Sequence, residues 1–167
     1  MRLGPGAPRL TTANYDRAVF AVIVGLGRVG ASLALRLLEE GQEVSCVDED
    51  PDALARLEAG LGRDWVAAGG SFTVGHGLEL DSLLAAGIER ADVFVAATNG
   101  DNTNIVIAQI AMLRFEVPTV VARVLDPRRA EWYESQGLHT ISPTRSAIDL
   151  LEAEVRAGQA RAREGGT

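Results

Sequence analysis

Six residues carry the clearest chemistry in the chain: Gly25-Leu26-Gly27-Arg28-Val29-Gly30, spaced as G-x-G-x-x-G. That spacing alone is weak. Here it follows an apolar run that reads as a strand, Ala18 to Val24, and it opens a helical pattern from Arg28 to about Glu40. An acid, Asp48, ends the next apolar run 18 residues after Gly30, with Glu49 beside it. Strand, glycine turn, helix and acid together describe a cradle for a dinucleotide-type ligand. Gly25 permits a tight turn, Gly27 lets the backbone approach a pyrophosphate, and Gly30 lets the helix pack closely on the sheet. The helix start presents free N–H groups and partial positive charge to phosphates. Asp48 can accept hydrogen bonds from ribose hydroxyls and would repel a 2′-phosphate, which disfavours NADP.

Other candidates cluster at the carboxyl ends of later strands, where such folds bind ligands. An Arg28 guanidinium can reach a pyrophosphate or a terminal phosphate; the alternative is a solvated arginine on the first helical turn. Gly75-His76-Gly77 ends the third strand, and His76 either contacts a base or merely tolerates the turn. Ala97, Thr98 and Asn99 end the fourth strand and Arg123 the fifth. Thr98, Asn99 and Gly100 read equally as capping for the helix at Asp101. Asp126 reads as an N-cap and His139 as a structural histidine in a short strand. No Ser-His-Asp arrangement with a nucleophile turn and no metal-ligand pair at helical spacing appears, so neither catalysis nor a metal is expected.

Stepping from these residues to the elements beneath them, short apolar runs alternate with helical patterns between residues 17 and 157. Alternation of this kind predicts a Rossmann-like α/β fold: a doubly wound parallel sheet of about six strands, order 3-2-1-4-5-6, with helices on both faces. Strands are expected at Ala18–Val24, Glu43–Asp48, Ser71–Val74, Asp92–Ala97, Thr119–Val124 and Leu138–Ile141. The first helix should bury Val29, Leu33, Ala34 and Leu37. The second begins with Asp50 as cap and Pro51 at its first position, buries Leu54 and Leu57, and ends at Gly60. Asp64 to Ala68 is either a competing strand or an inserted turn. The fourth helix, Asp101 to Phe115, should bury Ile105, Ala108, Ile110 and Met112. A last helix runs from Ser142-Pro143 to about Ala157, with Ala147, Ile148, Leu151 and Val155 on one face. Residues 1–16 and 158–167 read as tails, 17–142 as the nucleotide-binding unit and 143–157 as a crossover or dimerisation helix.

The 167 residues are 47% hydrophobic and carry a net charge of −7, and all 16 basic residues are arginine. That balance argues against nucleic acid as a partner, which needs a basic face. The single cysteine, Cys46, sits in an apolar run and cannot form an intrachain disulfide. The longest apolar run, Ala18 to Leu26, is too short to span a bilayer, and a reducing cytoplasm is the simplest compartment.

Taken together, these stretches resemble the N-terminal lobe of the RCK/KTN (TrkA-N) family. The matching pieces are Val22 to Gly30, Val47-Asp48, Gly75-His76-Gly77 with Leu83 to Ile88, Ala91 to Thr98, Asn102 and Asn104, Val120 to Val124, Gly137-Leu138 and Ile141-Ser142-Pro143. The resemblance implies a regulatory, non-enzymatic subunit of a bacterial potassium transporter or channel. It implies NAD(H) or ATP, ADP or AMP as regulatory ligand at the glycine turn, and gating of the pore by conformational change. It implies a membrane-embedded partner, homodimers that build a ring, and a cytoplasmic position at the inner face of the plasma membrane. Arg28 would meet phosphates, sometimes those of a neighbouring subunit's nucleotide. The family's usual C-terminal lobe would come from a separate chain or a longer one. The alternative reading is an NAD-dependent oxidoreductase or its isolated cofactor domain.

Overall fold

β1, Phe20–Val24, is apolar at every position and buried at every position. Such a strand has to lie inside a sheet covered on both faces. In the structure, a computed structural model that describes residues 18–164, it does. The expected tail at 1–16 lies outside the described residues. Five further strands are β2 (Glu43–Asp48), β3 (Gly70–Val74), β4 (Val93–Ala96), β5 (Thr119–Arg123) and β6 (Thr140–Ile141). They form one parallel sheet in the order β3-β2-β1-β4-β5-β6. The helices are α1 (Arg28–Glu39), α2 (Asp52–Leu61), α3 (Leu80–Ala85), α4 (Asp101–Leu113), α5 (Pro127–Ser135) and α6 (Pro143–Glu164), with one 3-10 turn at Ile88–Arg90.

The two-residue period of the strands divides the core between the two faces of the sheet. Val22, Val24 and Phe94 pack with Leu83, Ile88, Ile105 and Ile107 on one face. Ile23, Val44 and Cys46 pack with Ala34, Leu38, Leu57 and Trp65 on the other. Burial, and secondarily the charge of Asp48, pushes the Cys46 thiol up to about 12.

Several local expectations are corrected. The buried stripe of α1 is Gly30, Ala34 and Leu38, with Leu33 and Leu37 half-buried and Val29 48% exposed. Helix α1 is rotated by about one residue because Gly30, not Val29, must face the strand ends. On α2 the buried pair is Ala53 and Leu57, and the helix runs past Gly60 to end at Gly62 in the left-handed region. Among the α4 residues named, Ile105 and Ala108 are buried while Ile110 and Met112 are only partly so; Asn104, Ile107 and Ala111 complete the buried set. His139 precedes β6 and is exposed. Helix α6 does not stop near Ala157 but continues to Glu164, 22 residues in all and about 33 Å long at 1.5 Å per residue. Its expected apolar face does not pack back on the sheet: Ile148, Leu151 and Val155 are exposed. Among the described residues no helix is long and apolar enough to cross a membrane.

The segment between α2 and β3 is an inserted turn rather than a strand. Its anchor is Trp65, fully buried. The indole Nε1 donates to the Ser71 carbonyl at 3.1 Å, and the Trp65 amide donates to Glu58 at 3.3 Å. A side chain at Gly70 would overlap the indole ring, so the insertion closes over β3 only with glycine there. Trp65→Ala should cost about 3–5 kcal/mol of unfolding free energy, read from the denaturant midpoint. Val66→Ala, two-thirds exposed next door, should stay within about 0.5 kcal/mol. Equal effects would show that the tryptophan does not hold the insertion down.

Candidate functional site

The chain leaves β1 and turns into α1 in three residues. Gly25 takes φ +92, a conformation L side chains rarely adopt, and a Cβ there would stand 2.5 Å from the Thr98 amide nitrogen. A Cβ at Gly30 would overlap the Gly25 carbonyl oxygen. Gly27 differs from both. Its φ is −67, and a Cβ there would meet nothing within 4 Å. Folding therefore does not demand glycine at 27, whereas close approach by something outside the chain would. Helix α1 begins right after it with no side-chain cap and no acid in its first turn. Its first N–H groups are left for a ligand or water.

These features border a cavity of about 280 Å³ at the carboxyl ends of β1, β2 and β4. Of the residues singled out from sequence, Gly25, Leu26, Gly27, Asp48, Glu49, Gly75, His76, Gly77, Thr98 and Asn99 line it. Arg28, Val29, Gly30, Ala97 and Arg123 do not. Arg28 and Val29 are exposed on the outer turn of α1, and Gly30 and Ala97 are buried beneath the turn. The wall also includes Val24, Val47, Asp50, Arg56 and Thr103, which were not singled out for the site.

Asp48 has a second occupation that the motif did not disclose. Its Oδ2 accepts the Leu26 amide at 2.6 Å and its Oδ1 accepts the Asp50 amide at 2.9 Å. An ionised carboxylate has about four acceptor positions, so two remain open. Asp50 accepts the Asp52 amide at 3.0 Å, which starts α2, and it pairs with Arg56 Nη1 at 2.8 Å. The Arg56 guanidinium, then the Asp52 amide, hold the Asp50 carboxyl below the usual carboxylate range. His76 Nδ1 accepts the Leu78 amide at 3.3 Å, leaving Nε2 facing Glu49 at 3.6 Å.

The opposite rim is tied by Asn104, which is fully buried on α4. Its Oδ1 accepts from the Thr98 amide and hydroxyl, and its Nδ2 donates to the carbonyls of Thr98 and Arg123. One amide side chain thereby joins the ends of β4 and β5. Arg123 braces the same loop, donating through Nη2 to the Thr98 carbonyl at 2.6 Å. Sequence spacing offered Arg123 as a cavity residue; it works from behind the rim. Asp126 caps α5, accepting the Arg128 and Arg129 amides.

The TrkA-N domain family matches residues 21–143. The chain is 41% identical over 130 residues to the Trk system potassium uptake protein TrkA of Streptomyces coelicolor, an overlap of 78% of this chain and 55% of that protein. It thus spans little more than half the length of that relative. Among solved structures, the Shewanella denitrificans Kef CTD in AMP-bound form superposes with a TM-score of 0.66 at 25% identity, over 87% of this chain and 92% of the other. The TrkA-N domain of the inner membrane protein ybaL from Escherichia coli superposes with a TM-score of 0.64 at 20% identity, over 83% and 98% respectively, and shares the fold.

The rim geometry makes a distinction between two asparagines of α4. Asn104→Leu keeps the volume but leaves the Thr98 amide and the Arg123 carbonyl without this partner, and should cost about 3 kcal/mol. Asn102, exposed and bonded only to Arg129, should cost under about 0.5 kcal/mol as alanine. Chemical denaturation of the two variants checks this; a loss as small at 104 as at 102 would remove Asn104 from its bracing role.

Proposed function

The chain belongs to the TrkA-N domain family, and we propose that it is the nucleotide-sensing module of a potassium uptake system. In this reading an adenine nucleotide or NAD(H) binds over the glycine turn, and the ligand state is passed to a membrane-embedded transporter or channel subunit. The observation that carries it is Gly27, a glycine with open space above it at the uncapped start of a helix, bordering a cavity that Asp48 also lines. The AMP bound to the Shewanella relative and the name of the Streptomyces relative support the ligand class and the transport system.

The residues divide the ligand between them. The amides of the first turn of α1 take the phosphates. Asp48 takes the ribose hydroxyls with its free acceptor positions. Gly75 to Gly77, with His76, border the base, while Thr98 and Asn99 close the other side. Arg28, exposed at the lip, reaches the outer phosphates of a longer ligand or of a neighbouring copy's nucleotide. The exposed Ile148, Leu151 and Val155 of α6 support association with a second copy. The role is regulatory and the site works from the cytoplasmic side of the membrane. Regulation requires two assembly states that bind the nucleotides unequally, since a ligand shifts an equilibrium only by its differential affinity.

Calorimetric titration with AMP, ADP, ATP, NAD and NADH, with mass measured in parallel, tests the reading. At least one of these ligands should bind. Gly27→Ala should keep the melting temperature within a few degrees and weaken that ligand about tenfold or more, ~1.4 kcal/mol. Arg28→Ala should weaken ATP more than AMP. Unchanged affinity in Gly27→Ala would show that no ligand lies against the turn. Failure of all five ligands to bind the wild-type protein would overturn the reading itself.

A further inference from the structure

Arg56 is the one arginine among the described residues that lines the cavity. The two that spacing had offered, Arg28 and Arg123, do not. It stands on α2, beyond the end of β2, on the side where Asp48 would hold a ribose. In dinucleotide folds an arginine in that neighbourhood accommodates a 2′-phosphate, while an acid takes the free 2′-hydroxyl. This cavity contains both residue types, so the question is what the arginine is doing.

Its charge is already engaged. Asp50 Oδ2 receives Arg56 Nη1 at 2.8 Å. The other Asp50 oxygen is fixed by the Asp52 amide at 3.0 Å, so the carboxylate is held in place by the helix it starts. The Asp50 amide in turn donates to Asp48 Oδ1 at 2.9 Å. Asp48, Asp50 and Arg56 thus form a continuous chain along one wall. Glu49 lines the same cavity, so its lining holds three carboxylates and a single guanidinium.

Resting on the nucleotide reading above, we infer that the Asp50–Arg56 pair determines specificity at the ribose 2′ position, with Asp50 occupying the guanidinium that a 2′-phosphate would otherwise take. Asp48 disfavours such a phosphate by its charge. Asp50 does so by engaging the one guanidinium among the described residues that lines the cavity. The site is therefore one carboxylate away from accepting 2′-phosphorylated ligands, because Arg56 is already placed at the wall. The pair is half exposed, at 53% and 45% of the side-chain surface. At that exposure packing does not lock the guanidinium, so it can turn to a phosphate once its partner charge is gone.

Asp50→Asn separates the charge from the structural role. Asparagine caps a helix as well as aspartate does, so the Asp52 amide keeps its acceptor. Wild type, Asp50→Asn, Arg56→Gln and Asp50→Asn/Arg56→Gln are each titrated with ADP and with 2′,5′-ADP, with melting curves as the folding control. Asp50→Asn should tighten 2′,5′-ADP about tenfold through a new charge-assisted contact, while ADP changes by less than about threefold. The double variant should lose that gain. Arg56→Gln alone should leave ADP affinity within about threefold of wild type. If ADP binds the wild type but Asp50→Asn gains nothing for 2′,5′-ADP, or the double variant keeps the gain, the inference is overturned and the nucleotide reading stands. A large loss of ADP binding in Arg56→Gln would also overturn it, by assigning the guanidinium to the base or the shared phosphates. Wild type that binds no nucleotide overturns the reading beneath it.

Discussion

The close passage of the β1–α1 turn over the end of β4 sets the rest of the structure. β1 lies between β2 and β4, so the chain leaving it must clear the Thr98 loop before it can enter α1. It does so only because position 25 has no Cβ and can hold a φ of +92, and because position 30 has none to strike the Gly25 carbonyl. A side chain at either place would push α1 away from the sheet. The free N–H groups at the helix start would then no longer aim at the strand ends, and the cavity would lose its floor.

Two polar side chains hold the rims on either side of this passage, and each does a structural task at a place that sequence reading assigns to ligand or leaves unassigned. Asp48 accepts the Leu26 amide, so the acid that faces the cavity also fixes the turn beside it. On the proposed reading, a ribose held by Asp48 would share its carboxylate with the turn. Asn104 uses all four of its hydrogen-bonding positions to lock the ends of β4 and β5. A fully satisfied buried amide of this kind rigidifies what it joins. One rim thus includes the proposed ligand contact and the other is braced by Asn104.

The sheet order and element sequence were legible because hydrophobic runs of strand length alternate with helical patterns along the whole described chain, and parallel pairing follows from that alternation. The glycine turn was legible because its three glycines sit between a strand and a helix. Finer placements failed where tertiary contact overrides local pattern. Val29 looks like a buried position by helical spacing, yet the need for Gly30 to touch Gly25 turns α1 by a residue and exposes it. Trp65 sits in a segment without periodicity, and nothing local marks it as the anchor of an insertion. Arg56 drew no reading from the sequence. The available signal was Asp50 ahead of it, already recognised as a cap, but a pair six residues apart across a helix start has no motif of its own.

The cavity combines two kinds of polar wall. One is a helix start with no acidic residue in its first turn and no side-chain cap. The other is the acidic run Asp48, Glu49 and Asp50, of which Asp48 also bonds the turn just ahead of that helix. The overall charge of −7 would by itself repel an anionic ligand, but that repulsion falls off over a Debye length of about 8 Å at physiological salt. The N–H groups act at hydrogen-bond distance, where the fixed dipoles dominate. On the proposed nucleotide reading, the phosphate lies at the helix start and the ribose hydroxyls at Asp48, since carboxylates repel phosphate. Free phosphate would satisfy the helix end and nothing else, while a nucleoside alone would satisfy only the acids. On that reading the arrangement favours molecules that join both groups, and Arg56, the one arginine among the described residues on the cavity wall, is where the preference would be retuned.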